Sequence, residues 1–578
     1  MHCLRLSTLS FLSLVLLGSD AFVHAAIFDF QVRTPSVADP PQPLPRRSHH
    51  FARADSNSSS TSSRGPIPVA NTLNAEYISN ITLGGRTIPV LLDTGSSDLW
   101  VTGDVPGTKD LGKRVSLSYA VGTAAGDINT ADLTFDGFTV KDQVILVKDT
   151  STFSLDIKAQ GFEGLIGLGP NTGSTIRDEL DDKEEGDSVL SRIFSQNTTT
   201  QNYLTLLLDR KGDPSDPFTG KLSISEPIPG FENITSQPKL PVDKVHRLTD
   251  ADQHWQTFTD VNGVIGPDGQ PIAIDSIVPK ADDGELVVIF DSGFTLPQVP
   301  RAMSDAIYGR VQGAAYDETH GYWTVPCDQL INLSFKFGGV EFPIHPLDVS
   351  SSDFNILDKN GNPVCVGTFQ PITSAFSLLG EYDIILGMAF MRNAYSLMDY
   401  GNWVPHSKND RDDPFIQLLP LTNKQSAHDD FVKVRMGGID TSGDSSHALL
   451  PADQMKHSPI SSAEKKKMYE EKILSRWPYI FVGCLAFVLI VIGLIIWRCC
   501  VRRKRARAAA KNAKKLNINT SKSTYVESSY PDFRGSGNSY GNSTPMKEMG
   551  GHGHHQDQYQ QQYNYDQDNY GYYPGKHV

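Results

Sequence analysis

Two short segments of this chain repeat one pattern. The first reads Ile88-Pro-Val-Leu-Leu-Asp93-Thr94-Gly95-Ser96-Ser97, the second Leu286-Val-Val-Ile-Phe-Asp291-Ser292-Gly293-Phe294-Thr295. Each is an apolar run of strand length that ends in Asp, a hydroxyl residue and Gly. One such tripeptide is an ordinary turn, because Asp, Ser and Gly all favour turns. Two copies, each closing an apolar strand and 198 residues apart, are a far stronger constraint.

More pairs follow. Gly164-Leu165-Ile166-Gly167 lies downstream of the first Asp and Ile384-Ile385-Leu386-Gly387 downstream of the second. Asp98-Leu99-Trp100-Val101 comes just after the first copy, and Leu117 to Gly122 reads as half of a hairpin. Around them, from about residue 67 to 422, short apolar or alternating runs are separated by Gly, Pro, Asp and Asn clusters, the texture of a β protein. Examples are Thr87 to Leu92, Gln143 to Val147, Tyr203 to Leu208 and Leu286 to Phe290; Pro300 to Gln312 is the clearest helical pattern.

With these motifs the chain resembles the pepsin-like aspartic proteases over about residues 70 to 422. The resemblance implies a mostly β, bilobal fold in which each lobe gives one Asp to a cleft. The N-lobe would span about 67–245 and the C-lobe about 246–422. It implies Asp93 and Asp291 as the catalytic pair. Thr94 and Ser292 would brace the two Asp turns, Ser96 would hydrogen-bond the first Asp, and Gly95, Gly293 and Thr295 would support the site. Tyr119 and Gly122 match the flap that closes over substrate, and Trp100 the indole that holds that tyrosine. Cys327 and Cys365, the two cysteines left for the folded body, match a second-lobe disulfide. Two departures stand out. Phe294 occupies a position where the family carries a hydroxyl for the second Asp, so the shared proton is expected on Asp291. Only 26 residues separate Asp93 from Tyr119, fewer than the family commonly has.

Those residue types suit peptide hydrolysis without a cofactor. The reaction needs a base for water and an acid for the leaving amine. Two carboxyls a few ångströms apart cannot both ionise cheaply, so one proton is shared. The reading is therefore an aspartic endopeptidase acting on protein or peptide substrates, with no metal and as a monomer. The alternative is a catalytically weak or inactive receptor or sensor on the same fold, motivated by Phe294 and opposed by both intact Asp residues.

The rest of the chain addresses it. Leu6 to Leu17 followed by Val23-His24-Ala25 reads as a signal peptide cut after Ala25. Residues 26–66 read as a propeptide and Ser-rich linker, with Pro45-Arg46-Arg47 suited to a dibasic-specific protease. Residues 423–476 read as a polar stalk. Tyr479 to Trp497 carries no charge; 19 residues at 1.5 Å rise span about 28 Å, enough for a hydrocarbon core. Trp477, Tyr479 and Trp497 sit at its ends, and Arg498 and Arg502 to Arg507 follow, which places the C-terminus in the cytosol. The net charge is −14 overall; from Arg498 onward there are 13 Lys and Arg against 6 Asp and Glu, leaving −21 for the remainder. That acidic body argues against nucleic-acid binding. Sequons at Asn57, Asn80, Asn197, Asn233 and Asn332 fit a glycosylated ectodomain at the cell surface or facing a vacuolar lumen. The tail from 498 is low-complexity, and His552, His554 and His555 there are read as solvated.

Overall fold

The computed structural model describes residues 67–519, apart from 73, 120–122, 136, 149–160, 197–199, 217, 246–252, 319, 373–380, 409, 461–464, 467–468 and 470–475. The signal peptide, the propeptide segment, Asn57, Gly122, Asn197 and the tail beyond 519 lie outside the described residues.

Strands form where the apolar pattern predicts them. In Arg86–Asp93 the side chains of Ile88, Val90 and Leu92 alternate onto one fully buried face, as a period of two requires. Phe138–Lys148, Tyr203–Leu207 and Val287–Phe290 are strands, and Arg301–Tyr308 is a helix whose Met303, Ile307 and Tyr308 are buried.

The two Asp segments sit in matching surroundings. Arg86–Asp93 pairs in parallel with Gly164–Gly167, Asp93 opposite Gly167, and Gly164–Gly167 also pairs antiparallel with Leu99–Thr102. Val287–Phe290 pairs in parallel with Ile384–Leu386, which also pairs antiparallel with Gln298–Val299. In each half, then, the chain enters along one strand, turns at the Asp, and leaves along another, with the apolar-apolar-Gly segment between them. The first arrangement belongs to an eight-stranded sheet, the second to a five-stranded one. A six-stranded sheet joins the halves: Tyr203–Leu207 pairs with Ala394–Asp399, which pairs with Phe415–Pro420. Lys109–Ser118 and Thr123–Phe135 form a hairpin, Ser118 opposite Thr123. Cys327 and Cys365 are disulfide-bonded, with Cα atoms 5.0 Å apart.

Part of the expected stalk is folded. Lys424–Arg435 is a helix capped by the Asn423 side chain, which accepts from the N–H of Gln425 and Ser426. Ala427, Phe431 and Val432 give it one buried face, a spacing easily lost in so polar a segment. The chain then follows the helix Arg301–Tyr308. The Leu450 N–H donates to the Arg310 carbonyl (2.7 Å), Lys456 N–H to Gly309 (2.9 Å), and the Ser458 hydroxyl to Asp305 (2.6 Å).

The apolar run is the start of a helix, Trp477–Asn519. Its apolar side chains stand exposed, Phe487 and Trp497 by about two thirds. Among the described residues it is the one helix long and apolar enough to cross a membrane.

Candidate active site

Both Asp side chains are buried, at the ends of their strands. Behind each turn runs an apolar-apolar-Gly segment, and the glycines explain the motif. A Cβ on Gly167 would come 2.4 Å from the Ser97 carbonyl carbon, and one on Gly387 2.3 Å from the Phe294 carbonyl oxygen. No side chain fits there, so the backbones close up. Leu168 N–H donates to the Asp93 carbonyl (2.7 Å), Asp291 N–H to Leu386 (3.0 Å) and Met388 N–H to Phe294 (2.8 Å).

Thr94 and Ser292 reach across to each other's strand. The Thr94 hydroxyl donates to the Phe290 carbonyl (2.9 Å) and accepts from Ser292 N–H (2.8 Å). The Ser292 hydroxyl donates to the Leu92 carbonyl (2.8 Å) and accepts from Thr94 N–H (3.1 Å). Four hydrogen bonds, related as by a two-fold axis, thus set the turns face to face. Each following glycine lies against the opposite Asp. A Cβ on Gly95 would come 2.2 Å from Asp291 Oδ2, and one on Gly293 2.5 Å from Asp93 Oδ1.

The two carboxyls are held differently. Asp93 accepts from Gly95 N–H (2.9 Å) and from the Ser96 hydroxyl. Asp291 accepts from Gly293 N–H (2.7 Å), and residue 294, a Phe, has no side-chain hydroxyl to add. Burial first, and the neighbouring Asp93 carboxylate second, push Asp291 well above the usual carboxylate range; the N–H groups of Gly293 and Phe294 only partly offset this. The support is unequal, two donors to Asp93 and one to Asp291, and this favours a shared proton on the Asp291 side.

The Tyr119 phenol lies close to Trp100 and Ser96, which both work to lower it. Its ring packs against a buried cluster that contains Trp100, Leu117 and Leu165. Burial first, then the charges of Asp98 and Asp93, raise its phenol far above the ordinary value. Tyr119 and Trp100 thus pack together beside the Ser96–Asp93 hydrogen bond. Thr295 donates to the Ala75 carbonyl (2.8 Å). Asn80, Asn233 and Asn332 are exposed.

Three further groups, Glu76, His254 and Asp98, have no role assigned from the sequence. Glu76 follows Ala75; burial raises its carboxyl to about 7, and its Oε2 has no hydrogen-bond partner among the described residues. The His254 ring Nδ1 is 3.0 Å from the Gly95 carbonyl. Asp98 accepts from the Ser174 hydroxyl and from Thr175 N–H (3.0 Å), and so ties the first turn to the helix Thr175–Glu179. His254 is 159 residues from Gly95 in the chain; adjacency to the first motif was the only available hint for Asp98.

A family profile described as "Eukaryotic aspartyl protease" matches residues 270–404, a stretch that includes Asp291 and not Asp93. Vacuolar protease A of Neurospora crassa is 26% identical over 385 residues, covering 62% of this chain and 84% of that protein. Aspartic protease pepA of Arthroderma gypseum is 25% identical over 376 residues, covering 61% and 85%. The crystal structure of an aspartic proteinase from Irpex lacteus covers 63% of this chain and 99% of its own, at 20% identity and a TM-score of 0.47.

Proposed function

We propose that the chain is a pepsin-like aspartic protease that works as a membrane-tethered endopeptidase, with Asp93 and Asp291 as its catalytic pair. The observation that carries the assignment is the facing of two buried carboxyls across a shared brace, one of them placed to hold a proton. Asp93, ionised and supported by Gly95 N–H and Ser96, takes a proton from a water bound between the carboxyls. Asp291, protonated, donates to the scissile carbonyl oxygen, so that the carbon accepts the hydroxide as the oxygen gains the proton. The proton gained by Asp93 then leaves with the amine as the C–N bond breaks, and one diol hydroxyl returns its proton to Asp291 as the carbonyl re-forms, which restores the starting pair. Thr94 and Ser292 fix the pair, and Tyr119, packed in the Trp100 cluster, closes over substrate with Gly122 in the flap.

The full chain in detergent should cleave peptides in acid and be blocked by a statine-type mimic of the tetrahedral state. Asp93→Asn and Asp291→Asn should each abolish turnover, because neither carboxyl can fill the other's role. If either variant keeps more than a few per cent of the wild-type rate, the assignment is wrong.

The remaining organisation belongs to the same reading. A signal peptide (1–25) directs the chain into the secretory pathway, and a basic propeptide (26–66) covers the acidic cleft until cleavage near Arg47. The peptidase domain (67–422) stays outside or luminal as a glycosylated monomer. One helix (477–497) anchors it in the cell-surface or vacuolar membrane, with 498–578 cytosolic. Exposure of Asn80, Asn233 and Asn332 supports glycosylation, and the exposed apolar helix supports the anchor. Substrates on the same membrane or in the adjacent wall fit such a tether. Mature protein beginning at Ala26, or a tail digested by protease added outside intact cells, would overturn the respective parts.

A further inference from the structure

Away from the dyad, one ring nitrogen and two carboxyl oxygens, from His345, Asp213 and Asp430, lie within 4.8 Å of one another. Three elements meet there. Asp213 lies between the strands Tyr203–Leu207 and Lys221–Ile224, His345 caps the short helix Pro346–Val349, and Asp430 sits on the helix Lys424–Arg435. The three side chains are 4%, 4% and 11% exposed in the order His345, Asp213, Asp430. His345 Nε2 is 3.7 Å from Asp213 and 3.9 Å from Asp430, and makes no hydrogen bond among the described residues.

The donor set would suit a divalent metal, but the ring is turned the wrong way. The Leu347 backbone N–H donates to Nδ1 (3.1 Å). The neutral ring therefore carries its proton on Nε2 and has no lone pair to offer there, whereas a metal-binding His donates from its second nitrogen. The site instead takes a proton. Arg210 and Arg392 both pair with Asp348 (2.7 Å each), and Arg210 also pairs with Asp213 (2.7 Å). Ser215 N–H supports Asp213 (2.9 Å), while Asp216 accepts from Arg210 N–H (2.6 Å) and Phe218 N–H (3.1 Å). Asp430 has no guanidinium. It receives the Ser215 hydroxyl, with Lys433 exposed one turn along its own helix. Asp348 and Asp213 thus share the two guanidiniums, and Asp430 is left without one.

We propose that Asp430 and Asp213 form a proton-sharing carboxyl pair that latches the helix Lys424–Arg435 onto the protein body in acid and loosens it toward neutral pH. Ionised Asp430 would face the Asp213 carboxylate in a poorly solvated space; protonated, it donates to it. Burial first, then Asp213, raises Asp430. Burial also works to raise Asp213, but Ser215 N–H and Arg210 outweigh it and lower that carboxyl. Burial and Arg210 bring His345 down to about 4, so it contributes no compensating charge at neutral pH. The sign follows: a group whose docked pKa is raised strengthens docking below its free value, and that contribution is lost as pH rises through the docked value.

The test is amide hydrogen exchange on the full chain in detergent from pH 4 to 8, corrected for intrinsic rates. Protection of residues 424–435 should fall by about tenfold for each unit by which docking raises the Asp430 pKa. Strand Phe415–Pro420 should stay level. Asp430→Asn mimics the protonated form, since its amide can donate to Asp213, and should keep 424–435 protected throughout. The proposal is overturned if wild-type 424–435 loses no more protection than 415–420. It is equally overturned if Asp430→Asn shows the wild-type slope. The first outcome is decisive even if the variant fails to fold.

Discussion

Replacing Thr94 by Val would remove one hydroxyl and almost nothing else. The side chain keeps its shape, and the site is fully buried. Two groups lose the partner they now have: Ser292 N–H at 2.8 Å and the Phe290 carbonyl at 2.9 Å. A buried polar group left unpaired costs about 1–3 kcal/mol, so the pair gives about 2–6 kcal/mol. The lower half is expected, because a strand carbonyl can be partly served by its neighbours. Ser292→Ala strands Thr94 N–H and the Leu92 carbonyl and should cost a similar amount. The double variant should lose less than the sum, by about 0.5–3 kcal/mol, because the turns relax once either half of the brace is gone. Denaturant midpoints measure the stabilities. On a single peptide kcat should fall in each single variant with KM little changed, since the brace positions carboxyls and not substrate. A loss under about 1 kcal/mol in Thr94→Val, or strict additivity in the cycle, would refute a shared brace.

Gly95→Ala should abolish cleavage while leaving the fold intact, because the new methyl would displace the Asp291 carboxyl (2.2 Å from its Oδ2) and not a core contact; near-normal turnover would show that the carboxyl can move and still work. Phe294→Thr would give Asp291 a hydroxyl that favours its ionised form, so the basic limb of kcat/KM should shift to lower pH, and an unmoved or raised limb would defeat the argument. Burial alone would raise Asp348, but Arg210 and Arg392 outweigh it and hold the carboxyl down to about 2. Its stabilisation is present above the unfolded value of ~4 and lost as pH falls from there toward 2, so Asp348→Asn should be less stable than wild type at pH 5, with the gap closing in strong acid. Joining Cys327 to Cys365 across a separation of 38 residues should contribute about 4 kcal/mol, read as the midpoint shift of the double Ser variant.

What was legible in the sequence was whatever the chain repeats. Asp-Thr-Gly and Asp-Ser-Gly, each after an apolar strand, and the two downstream glycines name the parts of the site because duplicated geometry leaves duplicated residues. Each glycine stands where a Cβ would collide with backbone or with the opposite Asp, which is why the pattern is so narrow. What lay hidden depends on distance along the chain. Glu76 and His254 gain their meaning only from neighbours the fold brings to them, and an isolated carboxylate or imidazole in a β segment looks like any surface residue. The helix Lys424–Arg435 escaped notice for another reason. Its buried face is Ala427, Phe431 and Val432 among charged residues, too little apolar surface to read as a helix without the surface it docks on. That surface is held by polar groups, Asp213, His345 and Asp348 with two arginines, whose pairing no local pattern encodes. The same property makes the helix the part of the fold whose attachment depends on protonation. An element docked through a few apolar side chains has little hydrophobic burial to set against a change in charge, whereas the Asp strands, with wholly buried alternating faces, keep their place at any pH the dyad can use.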